Sequence, residues 1–247
     1  MTVRQDKIRE HYDTIADSYD NHYDCHRGRN YHSHISGRVM DALPVGGRLL
    51  DIGCGTGLFA AKYRENGGTA VGLDISRRMI QQARRRCPEG EFSVGTADKL
   101  PFRADSFDAV SSLLAFTYLK HPEDMLSEAY RILRPGGAIA ICTLGKKLIT
   151  RGIPALYFIS EKMRVKHVVM KNFGEHYYDE QEMRELFSGA GFEDIGITWC
   201  SFAHINMMDP LFNLARKVEP FVEKRVPQLA YNICVSGKKP DARNRKT

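Results

Sequence analysis

Two carboxylates and a run of alternate glycines mark where this 247-residue chain could do chemistry. The segment Leu49-Leu50-Asp51-Ile52-Gly53-Cys54-Gly55-Thr56-Gly57 reads as the end of a buried strand, an acid and a glycine turn, with a helix opening at Leu58. Glycines let such a turn be tight and let a ligand lie against bare backbone. The first N–H groups of the helix have no partner within it and point at that ligand. The next strand, Ala70-Val71-Gly72-Leu73, ends in a second acid, Asp74.

Spacing separates two ligand classes. A dinucleotide turn reads G-x-G-x-x-G, with a pyrophosphate on the helix N-terminus. Here the third glycine comes one residue early and an acid precedes the first. A pyrophosphate gains nothing from Asp51, whereas a cationic amino group does. Asp74 lies about 20 residues after the first glycine, where an acid binds a ribose diol. The expected ligand therefore carries a nucleoside and an ammonium group and no phosphate, and S-adenosylmethionine fits.

Asp51-Ile52-Gly53-Cys54-Gly55-Thr56-Gly57 resembles the first motif of the class I S-adenosylmethionine-dependent methyltransferases. Further segments resemble that family in the same order. They are Gly72-Leu73-Asp74-Ile75-Ser76 with Met79, Ala97-Asp98-Lys99-Leu100-Pro101-Phe102, Ser106-Phe107-Asp108-Ala109-Val110, Arg131-Ile132-Leu133-Arg134-Pro135-Gly136-Gly137 and Ala190-Gly191-Phe192. The nearest resemblance is to the small-molecule methyltransferases of the ubiquinone/menaquinone type, over roughly residues 5–237. It implies an α/β, Rossmann-like fold: a seven-stranded, mostly parallel sheet with the last strand antiparallel, helices on both faces, an N-terminal lid and cap insertions. By the same resemblance Asp51 holds the methionine end of the cofactor, while Gly53, Cys54, Gly55, Thr56 and Gly57 form its cradle. Asp74 takes the ribose, Ile75 and Met79 pack on the adenine, and Ala97 and Asp98 recognise its edge. Leu113 presents a carbonyl to the ammonium. Tyr12-Asp13-Thr14-Ile15-Ala16-Asp17-Ser18-Tyr19-Asp20 resembles the family's lid, which brings Tyr12 and Tyr19 to the cofactor.

Composition sets bounds on this reading. Hydrophobic content of 43% is ordinary for a globular chain. One domain over 1–237 is expected, with a helical lid at 1–44, cap insertions at 144–178 and 203–230, and a basic disordered tail at 238–247. No apolar run approaches the ~20 residues of a membrane span. Met1-Thr2-Val3-Arg4-Gln5-Asp6 has no apolar signal core, so a cytoplasmic protein is expected. Six cysteines without a C-x-x-C pair read as reduced thiols, with Cys142 and Cys234 packing inside strands as small hydrophobes. The net charge of +6 is mostly local, because the tail holds five Lys or Arg against Asp241. Arg77, Arg78, Arg84, Arg85 and Arg86 read as the solvated face of a helix that buries Met79, Ile80 and Ala83, not as a nucleic-acid surface.

The elements that position these residues follow from periodicity. Ile8, Tyr12, Ile15, Ala16 and Tyr19 predict a helix over 4–20, and a second spans about 31–43. Strands are expected near 48–52, 69–73, 91–94, 107–113 and 138–143, with helices near 57–66, 76–87 and 122–133. Ser76 is the expected cap of the second of these helices. Asp179-Glu180-Gln181-Glu182 reads as a capping box opening a helix to Ala190. Strands then follow at 192–200 and 231–237, and helical spacing runs through Leu211, Leu214, Ala215 and Val218.

Catalytic residues are not assigned. Methyl transfer is a displacement in which positioning does much of the work, and a base is needed only where the acceptor must lose a proton. Phe116-Thr117-Tyr118 stands where many relatives have histidines. Tyr118, His121, His176, Tyr177 and His204 could line an acceptor pocket, and each could equally be a packing or surface residue. No metal is expected from His22, Cys25 and His26, because no second half of a site is visible. The apolar stretch Ile153–Ile159, the basic stretch Lys162–Lys171 and the helix near 211–218 suit a small apolar, aromatic or prenylated acceptor taken from an anionic membrane surface. A monomer or homodimer is expected, with no nucleic-acid partner. RNA or protein methylation, and a non-catalytic S-adenosylmethionine-binding module, are the alternatives at this point.

Overall fold

A computed structural model describes residues 2–146, 174–203 and 207–241. Seven strands form one sheet in the order β3-β2-β1-β4-β5-β7-β6. They are β1 (Arg48–Ile52), β2 (Thr69–Asp74), β3 (Glu91–Val94), β4 (Phe107–Leu113), β5 (Leu133–Leu144), β6 (Glu193–Cys200) and β7 (Asn232–Lys238). The first five are parallel, and β7 runs antiparallel between β5 and β6. The chain order reverses between β1 and β4, and ligands of open α/β sheets bind outside the strands' carboxyl ends at such a point.

The helices are α1 (Val3–Ile15), α2 (Asn21–Asp24), α3 (His26–Asp41), α4 (Leu58–Glu65), α5 (Arg77–Arg86), α6 (Pro122–Ile132), α7 (Glu180–Gly189) and α8 (Asp209–Arg225). Parallel strands joined by crossovers are covered on both faces, so their residues are apolar without alternation. Leu50, Ile52, Val71, Val110, Ile139 and Ile141 fill one side with α6 and α7. Leu49, Ala70, Ala109, Ala140 and Cys142 fill the other with α3, α4 and α5.

Four expectations change in detail. The helix over 4–20 stops at Ile15, because the Ser18 N–H and hydroxyl both take the Ile15 carbonyl. The helix expected from 31 begins at His26, where the Cys25 sulfur accepts the Gly28 N–H at 3.3 Å as a cap. Strand β5 starts at Leu133, directly after α6, not at 138. The capping box at Asp179 is half made: Asp179 accepts the Glu182 N–H at 3.0 Å, but the Glu182 carboxylate goes to His176 at 2.6 Å. Residues 147–173, which hold the apolar and basic stretches, lie outside the described residues, as do His204 and residues 242–247 of the tail.

Buried Asn232 ties helix to sheet. It accepts from the Tyr31 hydroxyl of α3 at 3.0 Å and donates to the Thr143 carbonyl at 3.3 Å. Asn232→Ala removes both of these buried hydrogen bonds and is expected to lower unfolding free energy by about 2–3 kcal/mol. Urea titration checks this, with exposed Asn213→Ala changing little.

Candidate functional site

The β1–α4 turn is built from backbone. The Gly53 and Cys54 N–H groups both donate to the Leu73 carbonyl at the end of β2, at 2.7 and 3.1 Å. Gly53 and Gly57 adopt φ of 72° and 79°, a region costly for residues with a Cβ. A Cβ on Gly53 would also collide with Ala115. Asp74 then locks two loops together. One carboxylate oxygen accepts the Gly55 N–H at 2.9 Å, and the other accepts the Ser76 N–H at 2.8 Å. Ser76 caps α5 as expected, accepting the Met79 N–H at 3.0 Å.

Asp51 is 2% exposed and takes a hydrogen bond from the Ser111 hydroxyl at 2.8 Å. Its carboxylate borders a cavity of about 50 Å³ lined by Tyr19, Tyr23, His32, Leu113 and the Gly53–Thr56 turn. Burial pushes Asp51 up to about 7 and Asp74 up to about 6. Buried carboxylates in this state suit a cation, which repays their desolvation.

The N-terminal elements close over this turn. Tyr12 meets Tyr19 edge-on at 6.1 Å, Tyr19 meets Tyr23 at a tilt at 5.6 Å, and Tyr23 meets His32 edge-on at 5.3 Å. The Tyr12 and Tyr118 hydroxyls are 3.1 Å apart. Three acids fasten the closure. Asp13 accepts from the Ser76 hydroxyl and the Arg78 N–H at 2.6 and 3.1 Å, at the start of α5. Asp17 pairs with Arg78 and takes Gln82 at 2.8 Å. Asp20 takes the Thr56 hydroxyl at 2.6 Å and pairs with Arg86. The arginine cluster is a solvated face as expected, with Arg77, Arg78, Arg84, Arg85 and Arg86 all exposed, and Arg78 and Arg86 also pair with Asp17 and Asp20 there. Acids at 13, 17 and 20, the last two beyond the end of α1, meet α5 residues at 78, 82 and 86.

The methyltransferase-domain family matches residues 50–141. The demethylmenaquinone methyltransferase of Clavibacter sepedonicus is 30% identical over 203 residues, 76% of this chain and 80% of that one. This chain belongs to the S-adenosylmethionine-dependent methyltransferases. The demethylmenaquinone methyltransferase of Renibacterium salmoninarum is 27% identical over 214 residues, which cover 79% of this methyltransferase and 87% of that relative. A solved S-adenosylmethionine-dependent methyltransferase of Thermotoga maritima has the same fold, with a TM-score of 0.71, 24% identity and coverage of 94% of this chain and 99% of that one. The cofactor of the methyltransferase is S-adenosylmethionine, and the buried acid bordering an aromatic-lined cavity fits its cationic methionine end.

The remaining candidate residues of the methyltransferase are spread along the cleft. Ile75 is half-buried and Met79 is 1% exposed beneath the closure. Ala97 packs against the core, while exposed Asp98 receives Gln5 of α1 at 3.4 Å. Leu113 lines the cavity with Leu114, whose φ of 60° turns the chain at the end of β4. Of the acceptor-pocket candidates, Tyr118 joins Tyr12 at the closure. His121 is exposed beside Glu123 at 3.1 Å, and His176 is exposed beside Glu182. Tyr177 is half-buried. Tyr23 and His32 were not singled out as cofactor ligands from the sequence. Burial and the nearby Lys62 and Arg86 charges push His32 down to about 4, so its ring stays neutral. Cys25 and His22 serve locally as helix cap and ring contact, and His26 packs on Phe212.

Electrostatics give the methyltransferase a pH signature. The free Asp51 carboxyl titrates near 7, so at pH 6 it is mostly protonated and must lose its proton to bind a cation. Affinity for S-adenosylhomocysteine, whose ammonium is cationic, is expected to rise up to tenfold between pH 6 and 8. Raised acids also cost the free fold stability, a penalty that grows above about pH 4 and is complete above about pH 7. Asp51→Asn should therefore stabilise the free protein at pH 8 by roughly 1–3 kcal/mol while weakening and flattening the binding profile. Calorimetric titration and thermal unfolding at both pH values check the pair of effects.

The closure itself gives a second expectation. Arg78→Glu should raise hydrogen exchange across residues 12–20 about fivefold, in line with an exposed ion pair. Adding Asp17→Lys should restore protection, with β1 unchanged throughout.

Proposed function

We propose that the methyltransferase transfers a methyl group to a small apolar, aromatic or prenylated acceptor. The carrying observation is the tyrosine-lined cavity bordered by Asp51. In this reading Asp51 holds the ammonium, the Gly53–Gly57 turn cradles the methionine end, Asp74 takes the ribose, and Ala97 and Asp98 meet the adenine beside Ile75 and Met79. The Leu113 carbonyl adds a second acceptor for the ammonium. The bound cofactor supplies an electrophilic methyl on a sulfonium. Tyr12, Tyr19 and Tyr23 present rings that attract a cation and exclude water from the reacting centre.

Burial pushes Tyr118 up to about 12, and Tyr12 is raised as well. Both stay protonated near neutrality, so they orient an acceptor by donating hydrogen bonds and do not deprotonate it. This supports an acceptor acidic enough to ionise without a strong base, and catalysis chiefly by alignment. Relatives that act on demethylmenaquinone support the aromatic, prenylated class. In the same reading, residues 1–237 are one domain with α1–α3 as its lid.

Helix α8 supports collection of the acceptor at an anionic membrane surface. Phe212, Ala215 and Val222 anchor it inward, and Glu223 binds His34 and Arg38 of α3 at 2.6 Å each. Leu211, Leu214, Val218 and Phe221 form an exposed stripe beside exposed Lys217, Lys224 and Arg225. Apolar stripes flanked by cations bind anionic bilayer surfaces. No helix among the described residues is long and apolar enough to cross a membrane.

Asp74→Ala should weaken S-adenosylhomocysteine binding by about 1.5–3 kcal/mol, because charge-assisted hydrogen bonds are lost. Unchanged binding would remove Asp74 as the ribose ligand. Turnover on prenylated quinol analogues, compared with short carboxylic acids and RNA, tests the acceptor class. Phosphatidylglycerol vesicles should co-sediment the chain, phosphatidylcholine vesicles should not, and Leu214→Glu with Phe221→Glu should abolish binding with cofactor affinity intact.

A further inference from the structure

Three cysteines from three strands meet away from the cofactor cavity. In the antiparallel register Cys142 of β5 stands opposite Cys234 of β7. Cys200 of β6 stands opposite Asn232, two residues from Cys234 and so on the same face of the sheet. Tyr31, Ile35 and Val39 of α3 share that buried layer. The three sulfur atoms lie within 4.8 Å of one another, with those of Cys200 and Cys234 3.4 Å apart. Cys142 and Cys200 are wholly buried, and Cys234 is 6% exposed.

Free cysteine is often buried as a small hydrophobe, but here three thiols converge on one point. The thiolate is the metal-ligating form of cysteine, and three sulfurs within 4.8 Å offer one ion three ligands at once.

We propose that Cys142, Cys200 and Cys234 form a three-thiolate site for one soft monovalent cation of the copper(I) class. A metal–sulfur bond of about 2.3 Å puts the corners of a planar sulfur triangle about 4 Å apart, within the observed spread. Thiolates select copper(I), zinc and iron–sulfur clusters. Structural zinc takes four ligands, whereas the cluster among the described residues offers three. Each ligating thiol releases its proton to solvent, and the cation keeps its oxidation state. The ion ties β5, β6 and β7 together. It also reaches the cofactor cavity through the backbone, because the Leu114 N–H donates to the Cys142 carbonyl at 2.7 Å.

The reduced full chain is titrated anaerobically with copper(I) as its acetonitrile complex, and separately with zinc(II). A second sample is expressed in copper-supplemented medium. One copper per chain after desalting by either route is expected, with three sulfur neighbours in X-ray absorption, while zinc washes away. Cys142→Ala, Cys200→Ala and Cys234→Ala should each weaken retention at least tenfold, and exposed Cys25→Ala should not. S-adenosylhomocysteine titration confirms that each variant is folded, and serine replaces alanine where it is not. No copper by either route overturns the proposal. So does retention that survives all three substitutions or is lost with Cys25→Ala, a tightly held zinc, or a Cys200–Cys234 disulfide in place of the metal.

Discussion

Two carboxylates at the carboxyl ends of adjacent parallel strands impose the constraint on which the rest of this site depends. Asp51 and Asp74 are placed where water is scarce, and their ionised forms must be supported by fixed donors or by a cation. Asp74 is supported by backbone: it takes one N–H from the glycine turn and one from the start of α5, and so sets the two loops around it. Asp51 has a single hydroxyl partner and keeps a raised proton affinity. The difference suits the roles proposed for them. A ribose needs an acceptor already held in place, whereas a cationic group can supply the compensation that Asp51 lacks. A free fold that carries such a group is less stable than it could be, a familiar cost of a built site.

The N-terminal segment over the turn works on the opposite energetic principle. Its first two helices place no buried residue in the two large cores, α1 burying only Ile8 and α2 none, whereas α3 packs Tyr31, Ile35 and Val39 against the sheet. Attachment comes from many contacts worth little singly: partly exposed ion pairs, a helix-capping acid and edge-on aromatic contacts. Elements held this way open at low cost while the sheet stays intact. Salt screens part of the attachment, so the same chain closes more tightly in dilute buffer than in concentrated salt.

The strand positions and the glycine turn were legible because their causes are local. Alternate glycines after an apolar run, an acid about 20 residues on, and a serine before an amphipathic helix are each fixed by neighbours in sequence. What escaped depends on pairing across distance. The partners of Arg78 and Arg86 lie some 60 residues upstream, and a solvated charge cluster does not show which of its members are paired until the counterpart is placed. Cys25 was legible as a thiol and not as a cap, since sulfur is an unusual N-cap acceptor. Tyr23 and His32 reach the cavity only because the chain turns at residues 16–20 and again at Cys25. The convergence of Cys142, Cys200 and Cys234 needs the β5-β7-β6 order, which no spacing between them reveals.

That strand order has a consequence for how the chain assembles as it is made. Among the described residues β7 is the last strand in sequence and yet sits inside the sheet, the only neighbour of β6. Strands β1 to β4, with the acids and the glycine turn, are complete by residue 113 and can pair as soon as they emerge. β6 and α7 must wait some 30 residues with an unsatisfied ladder until β7 arrives to join them to β5. The late half of the sheet therefore closes in one step, on long-range pairings that are entropically slow. During that interval the exposed edge of β5 is the place where a nascent chain is most open to pairing with a wrong partner.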